Sequence, residues 1–187
     1  MQKMILSILI TTYNRAPILD KELGLLHDYQ QRGLSFAVVI CDDCSSDNTK
    51  DICSKWSKNI TNLKYIRHSK NEGMDGSFKT VYESCSTEYC WLLGDHRYIS
   101  YEELENMIDT LNTRQYDALI LKCRLEDKYP TKVYTDINEL MCEQGFNITN
   151  NASCVIPKSF FSTYTSNRYL GTTFLHMGIF IEGLTLK

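Results

Sequence analysis

The chain has 187 residues, a formal net charge of −3, 43% hydrophobic residues and 23% charged residues. This composition is typical of a globular protein and excludes disordered, collagen-like and low-complexity chains. The charge balance has no basic excess, so it does not indicate nucleic acid or anionic lipid as a partner. The length favours one domain.

The first apolar run, residues 5–10, is too short to span a membrane, which takes about 20 residues. It leads directly into polar residues without a small-residue cleavage site, so we expect no signal peptide and predict a cytoplasmic protein. The eight cysteines are then expected to be reduced and mostly buried. No second pair of ligands follows Cys41 and Cys44 at the spacing of a zinc site.

Apolar runs alternate with segments of helical period, which predicts an α/β fold with a mostly parallel central sheet flanked by helices. The predicted strands are residues 4–10, 36–41, 63–67, 89–93 and 118–123. Pro17 opens the first helix and Gly33 ends it. The second helix is predicted to be capped by Ser45, Ser46 or Asp47.

Beyond residue 123 the pattern weakens. It predicts a helix over residues 137–143, a short strand over 153–156 and a final apolar segment over 174–186. We expect the final segment to dock on the sheet, because it lacks the Lys- and Arg-rich face of an interfacial helix. Peripheral contact with a membrane is left open.

Polar clusters follow three of the predicted strands, at residues 11–15, 42–47 and 94–97. Ligands of open α/β sheets bind outside the carboxyl ends of the strands, so these clusters predict a site at that edge. The first cluster lacks the glycine pattern G-x-G-x-x-G, which excludes a Rossmann dehydrogenase. It also lacks the glycine- and lysine-rich phosphate loop that a nucleotidyltransferase would need.

The clusters and their spacing resemble the family 2 glycosyltransferases, which have the GT-A fold and move a sugar from a nucleotide-sugar donor. LSILITTYNR at residues 6–15 is similar to the opening strand and nucleotide loop of that family. VVICDDCSSDNTKDI at residues 38–52 is similar to its second strand and acidic turn, with Cys44 where glycine is usual. NEGMDGSFKTVYESCSTEYCWLLGD at residues 71–95 is similar to its Asn-x-Gly loop, the next helix and the strand before the acidic motif. The resemblance covers residues 4–123 well.

The resemblance implies a donor site built from Thr11, Tyr13, Asn14, Arg15, Asp43, Asn71, Gly73 and Asp95. Tyr13 would stack on the base, Asp43 would accept the ring N–H of uracil or thymine, and Arg15 would approach the pyrophosphate. A UDP-sugar is therefore the favoured donor. The alternative for each of these segments is an ordinary surface turn.

Family members bind a divalent cation through two or three acids, whereas residues 94–97 of this chain contain Asp95 alone. The candidate metal ligands are Asp95 and His96, and an imidazole ligand favours Mn²⁺ over Mg²⁺. Two alternatives stay open: Arg97 supplies the positive charge directly, or the site is inactive.

Inverting transfer, which the resemblance implies, needs a base that deprotonates the acceptor hydroxyl. His176 is the preferred catalytic residue, because YLGTTFLHMGIF at residues 169–180 resembles a segment near the acceptor site of some bacterial relatives. Asp136, Glu143 and Glu182 are further candidates. The alternative for His176 is a histidine with a purely structural role in the core.

The resemblance thus implies a hexosyltransferase-like enzyme of bacterial surface polysaccharide synthesis, acting on a saccharide or lipid-linked acceptor at the inner face of the membrane. We expect one GT-A-like domain over residues 1–187, with a nucleotide-sugar-binding half (1–123) and an acceptor-side half (124–187). Family members are commonly longer, so the second half is expected to be compact or truncated. The competing hypothesis is a nucleotide-sugar-binding domain that performs no transfer.

Overall fold

A computed structural model describes residues 4–94, 98–121, 131–162 and 167–185. At its centre is a six-stranded sheet with helices on both faces. The strands are β1 (Leu6–Thr12), β2 (Ala37–Asp42), β3 (Leu63–Arg67), β4 (Tyr89–Leu92), β5 (Leu119–Ile120) and β6 (Cys154–Pro157). The helices are α1 (Ala16–Gln31), α2 (Thr49–Trp56), α3 (Gly73–Glu83), α4 (Tyr101–Thr113), α5 (Ile137–Ile148), α6 (Lys158–Ser162) and α7 (Leu175–Thr185).

The strands lie in the order β3-β2-β1-β4-β6-β5. Strands β1 to β4 are parallel, and β1 pairs in register with β2 through Ile8 and Val38. Strand β6 is antiparallel to both of its neighbours, β4 and β5. The predicted α/β architecture with a mostly parallel sheet is therefore confirmed.

Both faces of the central strands are buried, because helices cover each side. Successive side chains of a strand point to opposite faces. Ile8 and Ile10 accordingly pack in the core beneath α1, α2 and α4, whereas Leu9 packs with Phe78 of α3 and Ile179 of α7. The near-continuous apolar runs of β1 and β2 follow from burial on both faces.

The first helix begins and ends as predicted. Pro17 lies in its first turn, where the missing N–H costs no helical hydrogen bond, and Gly33 follows its last turn with a φ of +109°. The second helix has Asn48 at its N-cap position, without a side-chain cap bond. The Asp47 carboxylate instead accepts the N–H of Thr49 from one residue further back, so one of the three predicted caps takes part.

Some bounds differ from the prediction. Strand β1 runs two residues further toward the carboxyl end than residues 4–10, and α5 extends beyond residue 143 to Ile148. Within the described residues, the fifth strand covers Leu119–Ile120 and pairs with β6 at the edge of the sheet. Cys123, the last residue of that predicted strand, lies outside the described residues.

The final apolar segment forms α7, which docks on the sheet as expected. Leu175, Ile179 and Phe180 are buried in the core that α3 and β4 share. Over the described ranges, no helix combines the length and the apolar character needed to cross a membrane.

Candidate functional site

Three loops meet where β1, β2 and β3 end. These strands are parallel neighbours, so their carboxyl ends share one edge of the sheet. Residues 13–15 follow β1, residues 43–47 follow β2, and residues 68–72 connect β3 to α3. The loop after β1 and the loop after β3 are each joined to the loop after β2 by hydrogen bonds of side chains.

Asn14 joins the first loop to the second. Its side-chain Oδ1 accepts the N–H of Ser46 at 2.7 Å, and its own N–H donates to Oγ of Ser45 at 2.9 Å. Its φ of +54° is left-handed, a conformation that asparagine tolerates better than most residues. This geometry leaves the neighbouring Tyr13 ring 50% exposed.

Asp47 makes the second connection between these loops. Its carboxylate accepts the N–H of Ala16, at the first residue of α1, and the N–H of Thr49, at the first residue of α2. Burial raises the pKa of Asp47, but the hydrogen bonds from Thr49 and Ala16 outweigh it, so that the net pKa is lowered. The ionised carboxylate thus holds the start of both helices.

Asp42 has a structural role at the end of β2. Its side chain is fully buried and accepts the N–H of Ser45 at 2.8 Å and the hydroxyl of Tyr65 at 2.7 Å. The Arg67 guanidinium lies 3.1 Å from the same carboxylate. Burial, followed by the bond to Asp42, raises the pKa of Tyr65 well above its usual range. Asp42 therefore shapes the turn from inside.

Asp43 joins the second loop to the third. Its Oδ1 accepts the N–H of Glu72 at 2.8 Å and lies 2.9 Å from Nδ1 of His68, and its Oδ2 accepts the N–H of Gly73 at 2.9 Å. The Asn71 side chain also accepts the Gly73 N–H, at 3.1 Å, and Gly73 has a φ of +78°. Among the described contacts, Oδ2 has one acceptor position left for a ligand.

His68 is a member of the site that the sequence analysis missed. Besides Asp43, its ring contacts the Thr80 hydroxyl at 2.9 Å and Sγ of Cys41 at 3.4 Å, both through Nε2. Burial raises the pKa of the Cys41 thiol to about 12, so this cysteine is not a nucleophile. His68 directly follows β3, so the same edge rule that located Asp43 could have located it.

The remaining predicted donor residues lie at the same edge. Thr11 is half-buried near the carboxyl end of β1, where it pairs with Cys41 of β2. Arg15 is exposed at the N-cap position of α1. The structure therefore brings together Thr11, Tyr13, Asn14, Arg15, Asp43, Asn71 and Gly73. Their roles stay predictions.

The predicted metal ligands, Asp95 and His96, lie outside the described residues. The described segment before them ends at Gly94, which lies beyond the carboxyl end of β4, is buried and has a φ of +74°. Within the ranges that the structure describes, no group of three or more His, Cys, Asp or Glu side chains is placed to hold a metal ion.

His176 lies on α7 and is 6% exposed. Its Nε2 donates to the carbonyl of Thr149 at 3.0 Å, and its ring packs edge-on against Phe78 at 5.8 Å. Burial, the largest influence, lowers the pKa of His176. The Thr149 carbonyl is an acceptor only, so the proton of the neutral ring is on Nε2 and the lone pair is on Nδ1.

The other candidate bases have structural partners. Asp136 caps α5 through the N–H groups of Asn138 and Glu139. Glu143 binds Lys132 and the Tyr134 hydroxyl. Glu182 binds Arg168 and the Tyr169 hydroxyl.

The fold and the joined loops define an α/β protein with a polar site at the carboxyl ends of its parallel strands. The family model described as glycosyl transferase family 2 matches residues 7–180, and the chain belongs to that family. The predicted membership is confirmed.

Two similar structures share the GT-A fold. The crystal structure of Staphylococcus aureus TarS 1–349 in complex with UDP-GlcNAc superposes with a TM-score of 0.66 at 18% identity, over 94% of this chain and 53% of that one. The Pyrobaculum calidifontis mannosyltransferase PcManGT, in complex with GDP-Man and Mn²⁺, gives a TM-score of 0.64 at 14% identity, over 88% and 47% of the two chains. The predicted GT-A fold is confirmed.

Among curated proteins, the abequosyltransferase RfbV of Salmonella typhimurium is 28% identical over 102 residues, which are 54% of this chain and 31% of RfbV. The chain thus matches about a third of that relative and about half of each solved structure.

Proposed function

We propose that this chain, by itself or as part of a longer protein, transfers a sugar from a nucleoside diphosphate sugar to a hydroxyl group. A UDP-sugar is the favoured donor, and the acceptor is a saccharide or a lipid-linked sugar of a bacterial surface polysaccharide. The observation that carries the proposal is the pair of joined loops around Asp43, in a member of family 2. The UDP-GlcNAc bound by TarS supports a nucleotide-sugar donor, and the name of RfbV supports a sugar as the transferred group.

The donor site divides into three parts. The exposed Tyr13 ring stacks on the base, and Asp43 accepts the base N–H at the acceptor position left on Oδ2. Arg15 approaches the pyrophosphate as a forked cation. Asn71 and Gly73 place the backbone of the third loop against the donor, where the left-handed glycine leaves no side chain in the way.

A divalent cation fits the donor set of Asp95 and His96. One carboxylate oxygen and one imidazole nitrogen suit Mn²⁺ better than Mg²⁺, and PcManGT is a fold neighbour whose structure contains Mn²⁺. When bound, the cation supplies positive charge to the phosphates of the leaving group.

Transfer then proceeds by in-line displacement. The acceptor oxygen forms a bond to the anomeric carbon, and the bond from that carbon to the phosphate oxygen breaks with inversion. The nucleoside diphosphate leaves with the electron pair. His176 is the candidate base for the acceptor proton. Burial lowers its pKa, which favours the neutral ring, and its Nδ1 is buried without a partner among the described residues, so the ring has to become accessible before the proton can reach it.

Binding without transfer is the second candidate. The burial of His176, which is 6% exposed, favours it, because a base must reach the acceptor hydroxyl. The single acid among residues 94–97 favours it as well.

Donor binding is tested by calorimetry and thermal shift against a panel of UDP-, GDP- and dTDP-sugars. A donor at a hundredfold its Kd stabilises the protein by about 2.7 kcal/mol. Asn14→Ala should raise the Kd by about fivefold, because it removes one neutral hydrogen-bonded connection worth about 1 kcal/mol. Lys58→Ala, an exposed change outside the site, is the matched control. Lack of binding to every donor of the panel would contradict the proposal.

Transfer is tested by release of the nucleoside diphosphate with saccharide and lipid-linked acceptors, in EDTA, Mg²⁺ or Mn²⁺. We expect the highest rate in Mn²⁺ and loss of activity in EDTA. Full activity in EDTA would contradict the requirement for a divalent cation. Donor binding without turnover in any condition would favour binding without transfer.

A further inference from the structure

A buried carboxylate connects α3 to the turn that precedes α7. Asp75, in the first turn of α3, is 6% exposed, and its Oδ2 accepts the N–H of Thr173 at 2.8 Å. Its Oδ1 has no hydrogen-bond partner among the described residues, and the same is true of Nδ1 of His176. Two buried polar atoms without described partners thus lie in the same region of the core. Such atoms lower the stability of the fold, so their presence calls for an explanation.

The contact fixes the start of α7. Thr173 has a φ of +66°, a left-handed conformation that a β-branched residue adopts only under constraint. The next residue, Phe174, donates its N–H to the Thr172 hydroxyl, and α7 begins one residue later at Leu175. His176 is the second residue of this helix, so the Asp75 bond lies three residues from its ring.

The same turn of α3 also reaches the donor site. Gly73, the first residue of α3, donates its N–H to Asp43 at 2.9 Å, and Asp75 lies two residues further on. One helical turn therefore connects the loop after β2 with the helix that carries the candidate base. The ring of Phe78, one turn later on α3, contacts His176 at 5.8 Å.

We propose that Asp75 is a positioning residue for transfer: it holds the turn before α7, the helix that carries the candidate base His176, and places a negative charge near that ring. This inference rests on the proposed function. The bond to Thr173 sets the geometry, and the remaining carboxylate charge stabilises the imidazolium that forms when the proton is taken up.

The groups that face His176 come from three segments. The carbonyl of Thr149 follows α5, Asp75 and the Phe78 ring belong to α3, and the Phe174 ring precedes α7. Burial lowers the pKa of His176, whereas the Thr149 carbonyl and the charge of Asp75 raise it. Of the described charged groups, Asp75 is the one that acts on this ring, so neutralising it should lower the pKa further.

The test titrates the histidines of the full chain by NMR, without substrate. Asp75→Asn keeps an oxygen that accepts the Thr173 N–H but removes the charge, and Asp109→Asn makes the same change on the exposed side of α4 as a control. We expect a lower His176 pKa in Asp75→Asn and an unchanged one in Asp109→Asn. An unchanged His176 pKa in Asp75→Asn would overturn the inference.

Kinetics provide the second readout. In Asp75→Asn the acid limb of the kcat/KM profile should move to lower pH, because the base then protonates at lower pH. Asp75→Ala also removes the bond to Thr173 and should lower kcat by about tenfold to a hundredfold, with an unchanged Kd for the donor. Wild-type kcat in Asp75→Ala would overturn the positioning role.

These outcomes separate the inference from the proposed function. If the wild-type chain transfers no sugar but Asp75→Asn lowers the His176 pKa, the proposed transfer fails and only the electrostatic influence of Asp75 on His176 stands. If transfer is normal and neither the titration nor the acid limb responds, the proposed function stands and the role of Asp75 is overturned. Circular dichroism shows whether Asp75→Ala is folded, and Asp75→Asn decides the question if it is not.

Discussion

Two adjacent aspartates at the end of β2 have different roles. Asp42 turns inward to Tyr65 and Arg67, whereas Asp43 turns to the backbone of the loop before α3. Successive residues of an extended chain point to opposite sides, so two adjacent acids at a strand end have different surroundings. The interior aspartate shapes the turn, and the next one meets the loop that is proposed to hold the donor.

Asp42→Ala should lower the free energy of unfolding by about 2–3 kcal/mol, because it leaves the buried Ser45 N–H and the Tyr65 hydroxyl without their acceptor. Urea denaturation measures the change. Asp109→Ala, an exposed substitution on α4, is the control and should stay within about 0.5 kcal/mol of wild type. A loss no larger than that of the control would contradict the structural role of Asp42.

Single residues of the site were predictable where they follow a strand. Tyr13, Asn14 and Asp43 come directly after apolar runs, and they do lie at one edge. His68 was not predicted, because β3 is half-buried and contains Lys64 and Arg67, so it lacks the apolar run that marks the ends of β1 and β2. The contact of Asp75 with Thr173 spans 98 positions and leaves no local signal in the sequence.

At the scale of elements, α7 lies unusually close to its neighbours. A Cβ atom at Gly178 would overlap the Tyr169 ring, and one at Gly183 would overlap the Phe160 ring. Both glycines are buried on the face that packs against these aromatic residues. The absence of side chains at these two positions, rather than helix propensity, lets α7 approach the segment that precedes it.

Gly183→Ala should therefore destabilise the protein by about 1–3 kcal/mol, since the new methyl group forces the Phe160 ring to move in a packed core. Gly145→Ala makes the same change in α5, where the Cβ meets only Met141 at 3.7 Å. This control should stabilise the protein by about 0.5–1 kcal/mol through helix propensity. Thermal and urea unfolding measure both, and equal effects would contradict the close packing of α7.

Elements with local signals were predicted well, and elements defined by distant pairing were not. Pro17 and Gly33 mark the two ends of α1, and both signals lie within or directly next to that helix. The prediction for β6 gave a short strand at nearly the right place, but its antiparallel insertion between β4 and β5 depends on partners far away in sequence. Hydrophobic periodicity carries no information on such pairing.

At the scale of the molecule, the two predicted halves share one sheet. Strand β6, from the second half, lies between β4 and β5 of the first. Helix α7 covers the face on which Leu9, Phe78 and Leu92 are buried. The division at residue 123 therefore does not coincide with a gap in the core, although the acceptor-side role of the second half stays a prediction.

A chain of residues 1–123 should accordingly fail to unfold cooperatively. Without β6 and α7, one face of the sheet and one edge of β4 are exposed to water. Urea denaturation followed by circular dichroism, with the 187-residue chain as reference, measures this. A sharp transition in the short chain, with dispersed NMR signals, would mean that the first half folds independently.

The place of β6 also has a consequence for synthesis on the ribosome. Strand β4 is complete at Leu92, but its second neighbour is not made until Pro157. At about 5–20 residues per second, this interval lasts several seconds. During that time the nascent chain carries an apolar strand with unpaired N–H and C=O groups on one side, to which another chain can add. The hazard to this protein in the cell is therefore greatest while residues 93–157 are being translated.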